Sequence, residues 1–346
     1  MAKILLLTHS YGNDGASVML LSIAHYWVEK LGWHVDALNI KNSITPYRAI
    51  LKNNGIGLVD RISSQDGYDL VLINTIINAR YIDELYRFLP VLLWVHEGVS
   101  VVNNFSVSVA TMRLWFKRCK IIIFQSSWQS DMVFKSFVHD LPHDRIVIIP
   151  NGVPDINLPA RDFRSAVVSR IVCVGSLNAR KRQFDLSQAV VLLSKEYDLS
   201  CEFIGDIYAI NTLGEYNVEF MYAQSHLRIV GSLPRQVTLA RVRESDIFVL
   251  PSCDESLPLA PLEAAKLGLP VILAHLDVYH YIGWRSGENC LMYPLGDVPA
   301  LAACIERLIL DSSLYHRLSV NGLHFASQFD TDLYFRRMTE MVQELV

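Results

Sequence analysis

The chain has 346 residues, 51% of them apolar and 19% charged, and a formal net charge of −4. That length and composition exclude a disordered chain and are enough for two globular domains, each burying its own core. The mild acidity gives no electrostatic ground for a nucleic-acid partner or a polyanionic substrate.

The opening run MAKILLLTHSYGNDG has too short an apolar core for a secretory leader and reads as a first strand. From there short apolar runs alternate with helical patterns: 4–8 then 17–31, 34–40 then 46–53, 68–75 then 80–89, 91–97 then 104–117, 120–126 then 128–138, and 146–150. Strand and helix alternating without hairpin signals predicts parallel pairing with helices on both faces. Asn151-Gly152 closes this half, and the charged, proline-bearing stretch 153–167 reads as a connection. The alternation then restarts at 170–176, with further strands at 201–206, 227–231, 246–251 and 270–275. The fold class is therefore α/β, with two doubly wound, Rossmann-like domains. Ligands of open parallel sheets lie outside the carboxyl ends of the strands, so the site is expected in a cleft between those edges.

The six cysteines, at 119, 173, 201, 253, 290 and 304, form no C-x-x-C pair, and several sit in apolar runs. A reducing cytoplasm is the expected compartment. No stretch approaches the roughly 20 apolar residues that span a bilayer. The segment 112–120, MRLWFKRCK, interleaves Arg113, Lys117, Arg118 and Lys120 with Leu114, Trp115 and Phe116. Two readings stand: a helix packing its aromatics on the sheet, or a peripheral seat on an anionic membrane.

The most informative stretch is 248–270, FVLPSCDESLPLAPLEAAKLGLP. A strand ends at Pro251, and a helix is expected to begin near Pro258. Its dipole and its first free N–H groups favour an anionic ligand such as a phosphate. Pro258 and Pro261 lack N–H groups, so Leu257, Leu259 and Ala260 are the expected donors. With seven residues between Glu255 and Glu263, the stretch resembles the Glu-x7-Glu signature of the retaining GT-B glycosyltransferases of family 4. Glu255, Leu259, Leu262, Glu263 and Ala264 match, as do Gly268 and Pro270, whereas Ser256, Leu257 and Pro258 replace the commoner Gly-Phe-Gly.

The resemblance implies a GT-B fold: an acceptor domain over 1–160, a nucleotide-sugar donor domain over 161–327, and a last helix, about 328–346, packing back on the first domain. It implies a retaining, metal-independent transfer of a sugar from a UDP-, GDP- or ADP-sugar to a glycan, lipid-linked or small-molecule acceptor. No cofactor or metal is expected. The setting it implies is polysaccharide or glycoconjugate biosynthesis in the cytoplasm, with a peripheral place at the inner face of the plasma membrane as one option.

Further residues are carried over one by one. Gly15 and Ala16, in the loop THSYGNDGA with Gly12, match a glycine-rich loop facing the donor diphosphate; a tight strand-to-helix turn needs the same letters. His96 stands at the end of the fourth apolar run, where the family places a histidine on the transferred sugar. In VGSLNARKRQ, Gly175 and Lys181 match Gly-Arg-Leu-x-x-x-Lys-Gly, while Ser176 replaces the arginine and Arg180 is the expected substitute. Two fixed cations stabilise a departing diphosphate. Cations conflict with the dipole at a helix start, which points to function. Glu255 is expected on the donor sugar, Glu263 on the ribose, and Val230 with Gly231 beside the nucleobase. The segment 287–297, GENCLMYPLGD, also resembles the family, with Cys290 replacing a glycine. Asp330-Thr331-Asp332 receives no metal role. An inactive GT-B homologue serving as a binding subunit is the alternative, prompted by Ser176 and Pro258. A nicotinamide-dependent oxidoreductase is disfavoured by the missing G-x-G-x-x-G.

Overall fold

The computed structural model of the chain describes residues 1–9, 14–40, 48–154, 156, 158–160, 168–206 and 215–346. Tyr11, Gly12, Pro46 and, within the connection 153–167, residues 155, 157 and 161–167 lie outside the described residues. Two compact units are present: Met1–Pro154 with Asp330–Val346, and Asp155–Phe329.

Unit 1 runs β1 (Lys3–Leu7), α1 (Gly15–Leu31), β2 (His34–Leu38), α2 (Arg48–Asn53), β3 (Gly57–Val59), β4 (Leu70–Asn74), α3 (Ile82–Leu85), β5 (Val91–Trp94), α4 (Val99–Asn103), α5 (Val109–Arg118), β6 (Ile121–Phe124), α6 (Lys135–Val138) and β7 (Ile146–Ile148). The sheet order is β3-β2-β1-β4-β5-β6-β7, all parallel. β4, β5 and β6 are buried at every residue, because helices cover both faces of a parallel sheet.

Several helices differ from the sequence expectation. α1 starts at Gly15 because Asp14 caps it, accepting from Ser17 N at 3.0 Å and Ser17 Oγ at 2.6 Å. The helix expected over 104–117 is two pieces. Asn104 turns its side chain back on Ser100 O at 2.8 Å, and Ser108 starts a new helix by accepting from Thr111 N at 3.1 Å. The stretch 80–89 holds the end of a 3₁₀ turn, Ile76–Tyr81, and the single turn α3, while 128–138 divides into a π turn, Gln129–Val133, and α6. The short edge strand β3 has no counterpart in the predicted alternation. Its three half-buried residues carry too little periodicity to be read.

Unit 2 runs β8 (Arg170–Val174), α7 (Gln183–Leu193), β9 (Ser200–Ile204), α8 (Glu215–Ala223), β10 (Leu227–Gly231), α9 (Arg235–Glu244), β11 (Ile247–Leu250), α10 (Leu259–Lys266), β12 (Val271–Ala274), α11 (Asp277–Ile282), β13 (Leu291–Tyr293), α12 (Val298–Leu310) and α13 (Ser312–Ser327). Its order is β10-β9-β8-β11-β12-β13, again parallel throughout. Its core joins Cys173, Phe203, Val249 and Ile272 of the sheet to Leu186 and Val190 of α7 and Leu301, Ile305 and Leu308 of α12.

The last helix, α14 (Thr331–Gln343), belongs to unit 1 and is capped by Asp330, which accepts from Leu333 N at 2.7 Å. It buries Tyr334, Met338 and Val342, one face at helical spacing. Thr339 Oγ1 accepts from Trp27 Nε1 of α1 at 2.9 Å, and Thr331 Oγ1 donates to Val153 O at 2.5 Å. Gly152 is required by this docking, since a Cβ there would stand 2.8 Å from Thr331 Cα.

Candidate functional site

In both sheets the strand order reverses beside the first strand, between β1 and β4 and between β8 and β11. Connections leave such a point in opposite directions and open a crevice at the carboxyl ends. The sequence-predicted residues gather at these two edges.

In unit 2 three glycines stand side by side past β8, β9 and β10. Gly175 N donates to Ile204 O at 2.8 Å, and Gly205 N donates to Gly231 O at 3.0 Å. Gly175 and Gly231 have φ of +151° and +86°, and a Cβ on Gly205 would lie 2.1 Å from Gly175 O. Bare backbone is thus enforced along this edge, leaving room for a ligand to approach peptide groups closely. Val230 is the residue skipped where β10 slips register against β9, a bulge that re-aims the strand end at Gly231.

Past Gly175, Asn178 accepts from Lys181 N at 3.0 Å and caps a 3₁₀ turn, Ala179–Lys181. Arg182 follows in the left-handed region at φ +50°, held by Asp185 Oδ2 at 2.7 Å, and only then does α7 begin. This corrects the expectation of cations at a helix start. Arg180 and Lys181 sit in a separate turn ahead of the helix, so their conflict with the dipole does not arise.

That turn meets Glu255, in the loop after β11. Lys181 Nζ lies 2.6 Å and Arg180 Nη1 3.4 Å from Glu255 Oε1, while Arg180 Nη1 donates to Asp254 O at 2.5 Å. Cys253 N donates to Arg180 O at 2.9 Å, fastening the two loops together. Glu255 is buried at 7% exposure. Burial raises its pKa, but the charges of Lys181 and Arg180 outweigh that and hold the carboxyl below its ordinary value. The Lys181 side chain is 13% exposed and that of Arg180 37%, so the triad, with one net positive charge, offers Arg180 as its accessible cation.

α10 begins at Leu259 after Pro258, which contributes no side-chain cap, so the amides of Leu259 and Ala260 head the helix; Leu257 is buried beneath. Glu263 is not part of the triad. Its Oε1 accepts from Arg235 Nη2, at the start of α9, at 2.6 Å.

In unit 1, Gly15 and Ala16 form the first turn of α1, and Ala16 O accepts from Asn74 Nδ2 at 3.3 Å. His96 follows β5, its ring centroid 4.4 Å from that of Trp94 and tilted 49° to it, with Nδ1 in hydrogen-bond contact with Gln125 Nε2. With that amide N–H donating, the ring proton sits on Nε2, where it can donate to an acceptor oxygen. Burial pushes the imidazole pKa down to about 3, so His96 is neutral at physiological pH.

Sequence reasoning missed Gly205, Asp254, Arg235 and Gln125, and placed Thr75 and Glu97 only within the loops 74–80 and 97–104 expected to line the acceptor pocket. Gly205 carried a signal, a glycine directly after a strand as at Gly175 and Gly231; the others reach the site through contacts that no local pattern encodes. Among the residues of the 112–120 segment, Trp115 and Phe116 are buried. Lys117 pairs with Asp140 at 2.6 Å, Arg118 pairs with Asp83, and Arg113 Nε donates to Ser136 O at 2.6 Å. In 287–297, Asp297 caps α12, accepting from Ala300 N at 2.9 Å, and Asn289 Oδ1 accepts from Arg285 N at 2.7 Å.

Comparison with known proteins places this geometry. Residues 168–311, which carry Gly175, Arg180, Lys181, Glu255 and Glu263, match the family model described as Glycosyl transferases group 1. The lipopolysaccharide core biosynthesis glycosyltransferase LpsE of Rhizobium meliloti (strain 1021) is 33% identical over 96 residues, 26% of this chain and 28% of that protein. The UDP-Gal:alpha-D-GlcNAc-diphosphoundecaprenol alpha-1,3-galactosyltransferase of Escherichia coli is 27% identical over 223 residues, 55% of this chain and 54% of that protein. The chain spans between 20% and 54% of the length of the curated relatives it matches. The crystal structure of Anabaena Alr3699/HepE in complex with UDP and glucose superposes with a TM-score of 0.81 at 17% identity, covering 99% of this chain and 100% of that one. At that identity the likeness carries the fold. The fold class is GT-B, built from two Rossmann-like doubly wound units.

Proposed function

We propose that the protein is a retaining glycosyltransferase that moves a sugar from a nucleotide-sugar to a glycan, lipid-linked or small-molecule acceptor, without a metal ion. The observation that carries this reading is the buried Glu255–Lys181–Arg180 triad at the β8/β11 switch point, inside the segment matched to the glycosyl transferases. As the sugar–phosphate bond breaks, charge gathers on the leaving diphosphate. Arg180, Lys181, the helix-start amides of Leu259 and Ala260 and the bare backbone at Gly175 meet that charge. Glu255 and Glu263 accept from hydroxyls of the sugar and the ribose. His96, neutral, donates to the transferred sugar. Front-face attack, with a leaving phosphate oxygen taking the acceptor proton, needs no side-chain base and gives retention.

UDP is the first nucleotide to try, since the Anabaena structure holds UDP and the Escherichia coli relative is named for UDP-Gal. The latter's name also includes a diphosphoundecaprenol acceptor, and so supports a lipid-linked acceptor and a peripheral place at the cytoplasmic face of the membrane. Among the described residues no helix is long and apolar enough to cross a membrane. Flotation with anionic vesicles tests that placement.

The deciding experiment is thermal stabilisation by UDP, GDP, ADP and NAD. A ligand at one hundred times its Kd adds about 2.7 kcal/mol of stability. One nucleoside diphosphate is expected to raise the Tm of the wild type but not of Lys181→Ala or Glu263→Ala. No stabilisation by any of the four overturns the reading.

A further inference from the structure

The side chain most tightly built into the edge of unit 1 is Glu97, one residue past His96. Its two oxygens serve two different loops. Oε1 accepts from Ile76 N at 2.9 Å, and Oε2 accepts from His96 N at 2.9 Å. Ile76 heads the 3₁₀ turn after β4, and Thr75, which would ordinarily cap such a turn, makes no side-chain capping bond. Thr75 has φ of +71° and ψ of 147°, a conformation costly for a β-branched residue, so the surrounding structure must hold it. Thr75 N donates to Trp94 O at 2.8 Å, which joins the same two loops from the other side. Gln129 Nε2 donates to Glu97 O at 3.0 Å, and Gln129 Oε1 accepts from Gln125 N at 2.7 Å. Since Gln125 contacts His96 Nδ1, these bonds close a ring through the ends of β5 and β6 with His96 on it, and the Ile76 and Thr75 bonds tie the end of β4 to that ring.

Resting on the transferase reading, we infer that Glu97 is a positioning residue. Its ionised carboxylate pins the His96 backbone and the strained Thr75–Ile76 turn, and so aims the His96 imidazole at the sugar. Two backbone N–H groups are best met by two strong acceptor oxygens, which a carboxylate supplies, whereas a protonated acid keeps one strong and one weak acceptor and an amide only one acceptor oxygen. Burial pushes the Glu97 pKa up to about 7, so the pin is complete above that pH and is lost as pH falls through it. The titratable groups around it are His96 itself, His9 after β1, whose Nδ1 lies 3.4 Å from Thr75 Oγ1, and Asp14 at the head of α1, whose charge acts on His96. Its other neighbours, Gln129 and Thr75, are neutral.

The test is Glu97→Gln in the full chain, with UDP-, GDP- and ADP-glucose as donors and their hydrolysis as the assay where the acceptor is unknown. The expected result is a fall in kcat of about tenfold with KM for the donor nearly unchanged, and loss of the acidic limb near pH 7 that the wild type shows. Faster hydrogen exchange at the Ile76 and His96 amides should accompany it. In the wild type, with no substitution, protection of those two amides should rise through pH 7 relative to their intrinsic exchange. A variant with wild-type kcat and pH profile overturns the inference, even if its Tm falls, because the carboxylate is then only structural. Unchanged protection at both amides overturns it as well. A wild type that hydrolyses none of the three donors and is stabilised by no nucleoside diphosphate overturns the transferase reading and this inference together. That outcome is distinct, because diphosphate stabilisation reads unit 2 and is expected to be equal in wild type and Glu97→Gln.

Discussion

Lys181 Nζ and Glu255 Oε1 stand 2.6 Å apart although 74 residues separate them, and the bond joins the loops after β8 and β11, the two strands that flank the reversal in strand order. A buried ionised carboxylate needs compensation for its lost hydration, which Lys181 and Arg180 supply to Glu255. Removing one member of a buried pair typically costs about 3–5 kcal/mol, since an uncompensated charge remains. Lys181→Met is therefore expected to lower the unfolding free energy by about 3 kcal/mol, with Arg180 limiting the loss. The Glu255 pKa is depressed in the folded state, so the pair's contribution is full above the ordinary carboxylate value of 4.5 and is lost as pH falls through the folded value. Urea denaturation across roughly pH 2–7 should show the wild-type advantage shrinking on the acid side only.

His96 has the acid-labile sign. Its pKa falls from 6.5 to about 3 on burial, so the unfolded chain binds the proton between those values and stability present above pH 6.5 is lost as pH falls toward 3. His96→Gln should remove a pH-dependent loss of about 5 kcal/mol across that range. Imidazole NMR of the wild type should show no His96 titration above pH about 4, whereas a midpoint near 6.5 would contradict its burial.

Glu97 has the opposite sign. Its folded pKa is raised from 4.5 to about 7, so the folded state holds the proton longer and stability declines as pH rises between those values. Relative to Glu97→Gln, the wild type is expected to lose about 3 kcal/mol over that interval and nothing above it. Chemical denaturation of both proteins at intervals of pH measures it. His96, present in both proteins, offsets part of this in each, so the comparison with the variant isolates the share of Glu97.

Gly205 tests the bare edge. A Cβ there meets Gly175 O at 2.1 Å and Ser176 N at 2.9 Å, both backbone atoms that cannot swing aside. Gly205→Ala is expected to cost about 3 kcal/mol and to weaken nucleoside diphosphate binding at least tenfold, read by melting and titration. Gly152→Ala meets Thr331 Cα at 2.8 Å and should cost a similar amount by displacing α14, while leaving nucleotide affinity in unit 2 unchanged.

If transfer proceeds without a metal ion, chelation is silent. The rate in excess EDTA is expected to lie within about twofold of the untreated rate, and restoration of a lost rate by added Mg²⁺ or Mn²⁺ would contradict the reading.

The parallel sheets were legible because strands such as 70–74 and 121–124 are apolar at every residue, which only two-sided burial explains. Helix ends were less legible. The breaks near 104–108 and at Arg182 come from Asn, Ser and Asp side chains bonding to nearby groups, in competition with helical periodicity. Of the candidate site, the spacing was readable: Gly175 and Gly231 close strands, Lys181 and Glu255 stand in the turns after β8 and β11, and Glu263 lies in α10, at intervals that a motif can carry along the chain. Their partners were not. Arg235 on Glu263, Asp254 on Arg180 and Glu97 on Ile76 are decided by which strands lie side by side.

The sequence by itself determined the alternation of strand and helix, the two halves and the edge on which functional side chains collect, because periodicity, glycine and proline act over a few residues. Only the tertiary structure decided which charges meet, which glycine is sterically obligatory and that His96 is aimed by its neighbour. Those outcomes depend on strand order, which brings together loops tens of residues apart and buries them where an unpaired charge or an added methyl group carries a large energetic penalty.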